Sequence, residues 1–310
     1  MTFDLAPLSP DLPFGRIVRG LLPEQIRDEA VRDRLRQIWV EHGLIVFRDT
    51  EISDRFHLDL SKVFGPLEHH PVREIHSETP ELVKLVSRPG ETTLLEVDGE
   101  IGGAWIGWHS DLIYAEKVNR GGILRAVQQT SHGGMTGFID QIDAYDRLPD
   151  ILKQRIEGLS VVYQIGLYDD SRLYANSKVR TLVMTDASHR LVERIPTDFP
   201  PVAHPLVFVQ PETGRKVLNL SLMFALYIEG MQNAAGDDLL AELGAHMFAC
   251  PSYHHAWTGG EMILWDNWRM LHSVTLAPPD ETRIMKRTTI AGDYALGRRL
   301  AAQPPDQSSE

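Results

Sequence analysis

The sequence predicts a mainly β protein with helices, built on a double-stranded β-helix (jelly-roll) core with covering helices. Three observations carry this. Two helix-type segments come early, within about residues 15–65. A series of short strand-type runs separated by turn residues occupies about residues 82–295. Neither a Gly/Ser-rich linker nor an internal repeat divides the 310 residues. Early helices leading into many short strands suit a sandwich or barrel with helices laid over it. A chain of this length is near the upper limit for one hydrophobic core. The expectation is therefore one domain over residues 1–310, with a polar, proline-bearing tail that frays at 302–310.

From Pro23 to about His42, the residues Ile26, Val31, Leu35, Ile38 and Trp39 recur at roughly helical spacing, and Gly43 supplies the stop. Leu44-Ile45-Val46-Phe47 is a short apolar run of strand type. Ser53 caps a second helix, whose Phe56, Leu60 and Val63 face inward before Gly65-Pro66 breaks it. The later strand-type runs are Leu82–Val86, Gly122–Gln129, Gly137–Ile139, Leu206–Val209, Val217–Leu220, Met262–Trp265 and Arg283–Ile290. Helical segments interrupt them near Tyr145–Glu157 and Asp237–Phe248. Residues Gly166–Pro200 have weak periodicity and many polar side chains, which reads as a long functional loop or lid.

Composition narrows the chemistry. Lys plus Arg number 31 against 43 for Asp plus Glu, a net charge of −12. Such a chain has no general attraction to nucleic acid or to an anionic membrane, so any anion it binds is held by a few local basic groups. No apolar run is long enough to span a bilayer, and Met1–Pro13 lacks the form of a secretory signal, which points to the cytoplasm. The single cysteine, Cys250, excludes an internal disulfide and a thiolate zinc cluster. With thirteen histidines, a metal here would take imidazole and carboxylate ligands.

Trp108-His109-Ser110-Asp111 holds a His and an Asp two apart, which in an extended segment project from one face toward a single ion. His272, after Trp265-Asp266-Asn267, is the candidate third ligand. Two histidines and one carboxylate leave three positions open on an octahedral ion, the set used by non-haem Fe(II) oxygenases. A zinc hydrolase uses the same ligand types, so the triad alone leaves the reaction open. On a strand, Arg283 and Arg287 share a face roughly 13 Å apart at about 3.3 Å per residue. Facing water they carry no function; facing the core they require two anionic partners. His132, His204 and the adjacent His254-His255 read as loop or packing residues, and Gly133-Gly134 as a turn.

In order along the chain, several motifs resemble the taurine dioxygenase / 2,4-dichlorophenoxyacetate dioxygenase family. They are Gly43-Leu-Ile-Val-Phe47-Arg48, Phe64-Gly65-Pro66-Leu67, Trp108-His109-Ser110-Asp111, Gly133-Gly134-Met135-Thr136-Gly137-Phe138 and His204-Pro205-Leu206-Val207. Trp265-Asp266-Asn267 follows, with His272 and arginines eleven and fifteen residues beyond it. The resemblance covers about residues 15–295. It implies a cupin-like barrel and a dioxygenase dependent on Fe(II), 2-oxoglutarate and O₂. It implies that His109, Asp111 and His272 ligate iron, that Thr136 and Arg283 hold the distal carboxylate of 2-oxoglutarate with Trp265 packed nearby, and that Arg287 meets the acidic group of the substrate. His70 matches a substrate-contacting histidine. Arg73 and Trp105, the other substrate-binding candidates, as a second basic group and an aromatic wall, stand where the taurine enzyme has tyrosine and asparagine, and Met135 replaces a common aspartate, so taurine itself is not implied. The implied reaction passes through a ferryl oxidant to succinate, CO₂ and a hydroxylated product, in some relatives with cleavage of a carbon–heteroatom bond. The implied substrate is a small organic anion: an aryloxyalkanoate, a sulfonate or an alkyl sulfate. The family also implies a homo-oligomer, a dimer or tetramer. A metal-dependent hydrolase and a non-catalytic barrel binding 2-oxoglutarate or another acid remain the competing readings.

Overall fold

Alternation along the strand Leu44–Arg48 sets the layers. Its first four residues are fully buried, and successive side chains leave on opposite faces. Ile45 and Phe47 pack with Leu35, Ile38, Trp39, Phe56 and Leu60 of the two N-terminal helices. Leu44 and Val46 pack with Phe138, Ile263, Trp265 and Met285 on the other side. An uninterrupted apolar run follows from burial on both faces.

The computed structural model of the chain describes residues 3–166 and 177–300. A seven-stranded sheet has the order Asp4–Pro7, Arg16–Arg19, Leu44–Arg48, Glu261–Asp266, Gly121–Gln128, Arg283–Arg287, Val83–Ser87. Only the pairing of Arg16–Arg19 with Leu44–Arg48 is parallel. A four-stranded antiparallel sheet has the order Ser252–His255, Thr136–Asp140, Met270–Val274, Ile106–His109. Phe138 and Met270 of the smaller sheet meet Leu124, Ile263, Trp265 and Met285 of the larger one in a shared core. A third core gathers around the helix Ala234–Ala249 and the strand Ser160–Tyr163. No helix among the described residues is long and apolar enough to cross a membrane.

The chain passes from the larger sheet to the smaller one through the turn Asp266-Asn267-Trp268-Arg269, closed by a 3.1 Å bond from the Arg269 amide to the Asp266 carbonyl. Its ends are tied down by charge. Arg269 grips Asp140 with two hydrogen bonds, of 2.9 and 2.6 Å, and donates to the carbonyls of Val40 and Glu41 at 3.2 and 3.0 Å. Those carbonyls belong to the last turn of the helix Glu29–His42, where no intrahelical donor is left for them. Asp266 accepts from Arg120 and from Gln210 at 2.7 Å. The Arg120 guanidinium lies between the Trp39 and Trp268 rings, 4.4 and 4.5 Å from their centroids.

Three expectations need correction. The first helix begins at Glu29 rather than Pro23: Gln25–Arg27 forms a 3₁₀ turn, Asp28 is extended, and its carboxylate caps the Ala30 amide at 2.9 Å. The segment Tyr145–Glu157 is two helices, Gln141–Arg147 and Asp150–Ile156. They part at Leu148, which precedes Pro149 and is therefore biased out of helical geometry. The span Gly166–Pro200 is not one irregular loop. Residues 167–176 lie outside the described residues, but Val179–Val183 pairs with Leu94–Val97. Asp186–Asp198 is a helix capped by Thr185. That helix buries only Leu191 and Ile195, one turn apart, which is a narrow stripe in a polar sequence.

Replacing Arg269 with Met leaves the Asp140 carboxylate buried without its partner and two helix carbonyls unsatisfied. The expected loss is about 3–5 kcal/mol of stability, read by urea denaturation, with Arg269→Lys recovering only part of it because an ammonium lacks the planar fork.

Candidate functional site

His109 ends the strand Ile106–His109 and lies directly across the sheet from His272 in Met270–Val274. Their ring centroids are 4.1 Å apart. Asp111 follows two residues after His109, with its carboxylate oxygens 3.8 Å from His109 Nε2 and 3.6 Å from His272 Nε2. One donor atom from each of the three residues lies within 4.8 Å of the other two, and all three residues are buried. The predicted triad therefore converges.

The chemistry of these donors suits a divalent metal. His109 Nδ1 lies 2.8 Å from the Gly107 carbonyl, which must receive a proton from it, so the Nε2 lone pair points at the site. Burial, then the neighbouring His272, lowers the His109 pKa to about 3 and keeps the ring neutral. Burial opposes ionisation of Asp111, but Arg287 and the two histidines outweigh it and hold the carboxyl well below its usual range. Two imidazoles and a carboxylate are the ligand types expected for iron.

Position comes from the Asp266–Arg269 turn. Asn267 Oδ1 accepts the Asp111 amide at 2.8 Å, and its Nδ2 donates to the Asp111 carbonyl at 2.9 Å. Asn119 receives the same amide group at 3.0 and 3.1 Å. The Ser110 amide donates to Ser221 Oγ at 3.0 Å. Leu112 then adopts a left-handed backbone, φ 56°, costly for a branched side chain and held by these anchors. Asn119 and Ser221 were not singled out by sequence, because a lone polar residue far along the chain shows its partner only after folding.

Arg283 and Arg287 both face inward, 5% and 7% exposed, on their strand. Arg283 donates to the Gly134 carbonyl at 3.1 Å and meets no carboxylate among the described residues. Burial alone pulls its pKa down to about 10. Gly134, at φ +58°, lets the guanidinium pass: a Cβ there would stand 2.9 Å from Arg283 Nε. Thr136, buried nearby in sequence and sheet, accepts a 3.0 Å hydrogen bond from Trp257 Nε1. Trp257 packs edge-on against His255, 4.7 Å between centroids, and His255 is paired with Glu261 at 2.9 Å. Trp257 was passed over in the sequence as a neighbour of His254-His255. The Trp265 ring lies 5.1 Å from the His272 ring between centroids.

Arg287 Nη1 lies 2.8 Å from each Asp111 oxygen, while its buried Nε has no partner among the described residues. His70 is buried and accepts the Val72 amide on Nδ1 at 3.2 Å, leaving its other nitrogen to carry the proton. Burial, then Arg287, lowers its pKa to about 3, and Asp111 also acts on it, so His70 belongs to the same charged neighbourhood. Trp105 is half-buried, its ring over Gly107 beside Met223. Arg73 is exposed on the 3₁₀ turn Arg73–Ile75, and no contact brings it to the other site residues. Of the other histidines the sequence raised, His204 bonds the Ala115 carbonyl at 2.8 Å, His254 packs on Trp108 and His132 is exposed.

The family described as "Taurine catabolism dioxygenase TauD, TfdA family" matches residues 4–289. The chain is 33% identical over 302 residues to the (S)-phenoxypropionate/alpha-ketoglutarate-dioxygenase of Sphingobium herbicidovorans, covering 96% of this chain and 98% of that one. It is 30% identical over 286 residues to the alpha-ketoglutarate-dependent 2,4-dichlorophenoxyacetate dioxygenase of Cupriavidus pinatubonensis, covering 89% and 93%. Among solved structures it superposes on AAD-2, crystallised with Mn(II) and N-oxalylglycine, with a TM-score of 0.71, 25% identity and coverage of 96% and 100%.

Two expectations follow from this geometry. Asn267→Ala releases the backbone of Asp111, and metal affinity falls about 10- to 100-fold, measured by equilibrium dialysis with Mn(II). Glu261 is the second. Burial works against its ionisation, but bonds from His255, Thr258 and Gly260 bring its pKa from 4.5 to about 2. A depressed carboxyl stabilises the fold fully above its unfolded pKa, and that contribution is lost as pH falls from about 4.5 toward 2. The melting temperature of Glu261→Gln accordingly declines less than that of the parent across this window.

Proposed function

The chain belongs to the TauD/TfdA family of 2-oxoglutarate-dependent dioxygenases, and from that premise we propose that it hydroxylates a small organic acid of the aryloxyalkanoate type. In this reading residues 1–310 form one catalytic domain, and the two sheets that share a core are the halves of a double-stranded β-helix. Fe(II) is held by His109, Asp111 and His272. When bound, Fe(II) with 2-oxoglutarate and O₂ supplies the oxidant that replaces a substrate C–H hydrogen by hydroxyl, 2-oxoglutarate leaving as succinate and CO₂.

The observation that carries the reading is Arg283. A buried guanidinium without an acidic partner is costly, and the distal carboxylate of 2-oxoglutarate matches its planar fork. Thr136 completes that subsite. Trp257 occupies a lone pair of the Thr136 oxygen, so the single hydroxyl proton remains to be donated to the carboxylate. A hydrolase built on the same three ligands has no use for Arg283, which is why that alternative is set aside.

Arg287 serves the primary substrate. One of its amino groups holds Asp111, and the rest of its five-donor fork remains for an anionic head group. His70 offers a neutral N–H to the same neighbourhood. Phe224, 5.4 Å from the His109 ring, and Trp105 supply aromatic surface for a ring. The named activities of the two relatives, on phenoxypropionate and 2,4-dichlorophenoxyacetate, support this choice over a sulfonate or an alkyl sulfate. Hydroxylation at the carbon bearing the ether oxygen gives a hemiacetal-type product, whose collapse releases a phenol.

The test is succinate formation, O₂ uptake and phenol release across aryloxyalkanoates, sulfonates and alkyl sulfates. Coupled release of succinate and phenol with the first group is expected; equal background decarboxylation with all three groups would sink the substrate assignment. An anaerobic titration with Fe(II) and 2-oxoglutarate should give a visible charge-transfer band. Asp111→Ala abolishes turnover. Arg283→Met raises KM for 2-oxoglutarate by at least about tenfold, the effect of one lost charge-assisted hydrogen bond.

A further inference from the structure

Tyr114 is a buried phenol that the roles above leave unused. It is 5% exposed, and its ring is fixed edge-on by Phe199 at 5.6 Å and by Phe224 at 5.2 Å between centroids. Phe224 itself stands against His109. Tyr114 lies three residues beyond Asp111, past the left-handed Leu112 and within a turn closed by the Ala115 amide on the Leu112 carbonyl at 2.8 Å. Asp111 and Arg287 are the two charges that act on its hydroxyl. The phenol ring thus stands one aromatic layer from His109, on the segment that carries Asp111.

Its hydroxyl has no hydrogen-bond partner among the described residues. The other deeply buried tyrosine shows the ordinary arrangement: Tyr163 donates to the Asn219 carbonyl at 2.8 Å. That oxygen is not among the fully enclosed unpaired side-chain atoms of the described residues, so it stays reachable by a ligand, and phenylalanine would fill the same aromatic slot without offering a donor. The hydroxyl is a donor throughout the ordinary pH range, since burial and then Asp111 push its pKa up. A donor on the segment of Asp111, whose carboxylate the Arg287 guanidinium also grips with N–H groups to spare, suits an anionic oxygen that the protein does not itself provide.

We propose that Tyr114 is a substrate-binding residue, its hydroxyl donating a hydrogen bond to the carboxylate of the acid that Arg287 engages. The proposal deepens the aryloxyalkanoate reading and rests on it. Phe199, Phe224 and Tyr114 then form the aromatic side of the same pocket, so that one residue contributes both to the ring wall and to head-group recognition.

Binding of (S)-2-phenoxypropionate and 2,4-dichlorophenoxyacetate to the full chain loaded with Mn(II) and 2-oxoglutarate tests this by calorimetry. In Tyr114→Phe the Kd for both acids rises about ten- to a hundredfold, the range for a hydrogen bond to a charged group. Affinity for 2-oxoglutarate stays the same. Neutral 2-phenoxypropanol binds the parent and the variant equally. The melting temperature without ligands is unchanged or higher, which a purely structural tyrosine would not allow. In an Arg287→Met background, where the acids are already poorly held, adding Tyr114→Phe changes little. If Tyr114→Phe binds both acids like the parent while Arg287→Met has lost them, or if its unliganded melting temperature falls, Tyr114 is not the contact and the substrate class stands. If the parent binds neither acid, the substrate class fails and the role of Tyr114 falls with it.

Discussion

The turn Asp266-Asn267-Trp268-Arg269 is the constraint on which the other parts depend. It carries the chain from one sheet to the other, and each of its polar side chains fixes a different partner. Asp266 holds Arg120, which is sandwiched by Trp39 and Trp268. Asn267 holds both backbone groups of Asp111. Arg269 holds Asp140 and the end of the helix Glu29–His42. The next strand carries His272. One turn thereby sets where the two sheets meet, where the Asp111 carboxylate sits and where the His272 imidazole points. Buried ion pairs contribute little net stability compared with apolar packing of the same volume, but losing one partner is expensive. Such pairs enforce a single geometry, which a metal site requires.

Charge accounting separates scaffold from site. Among the described residues five arginines are buried: Arg120, Arg125, Arg269, Arg283 and Arg287. Arg120, Arg125 and Arg269 are paired with Asp266, Asp54 and Asp140. Arg287 is paired with Asp111, itself a ligand of the proposed metal, so its partner is shared with the reaction. Arg283 has no acid among the described residues. The proposed 2-oxoglutarate subsite rests on this cation, which the fold leaves unneutralised in its interior. In a chain with twelve more acidic than basic residues, that vacancy is not explained by a shortage of carboxylates.

Much of this could be read along the chain, and the exceptions have physical causes. The larger sheet was legible at Leu44–Arg48, Gly121–Gln128 and Glu261–Asp266 because their central residues are buried and mostly apolar, and at Arg283–Arg287 through period-two alternation, with Arg283, Met285 and Arg287 buried. Three strands of the smaller sheet, Ile106–His109, Ser252–His255 and Met270–Val274, gave no strand signal. They are four or five residues long and interrupted by polar side chains, and in two of them those include the site residues His109 and His272, so function displaced the usual pattern there. The triad was found through motif and spacing. Asn119, Ser221, Trp257 and Tyr114 were not, because each acquires its partner, or its lack of one, from a residue distant in sequence.

The amino-acid sequence by itself determined which residue types are available for chemistry: imidazole and carboxylate rather than thiolate, and two arginines spaced to share one face of a strand. It also determined that early helices would cover a mainly β core, since those signals are local periodicity and local caps. Only the tertiary structure decided that both arginines face inward, that Arg287 reaches Asp111 while Arg283 reaches no acid, and that Arg73 stays at the surface. Burial and charge pairing are properties of what lies across the core. They exist only once the two sheets have closed on each other.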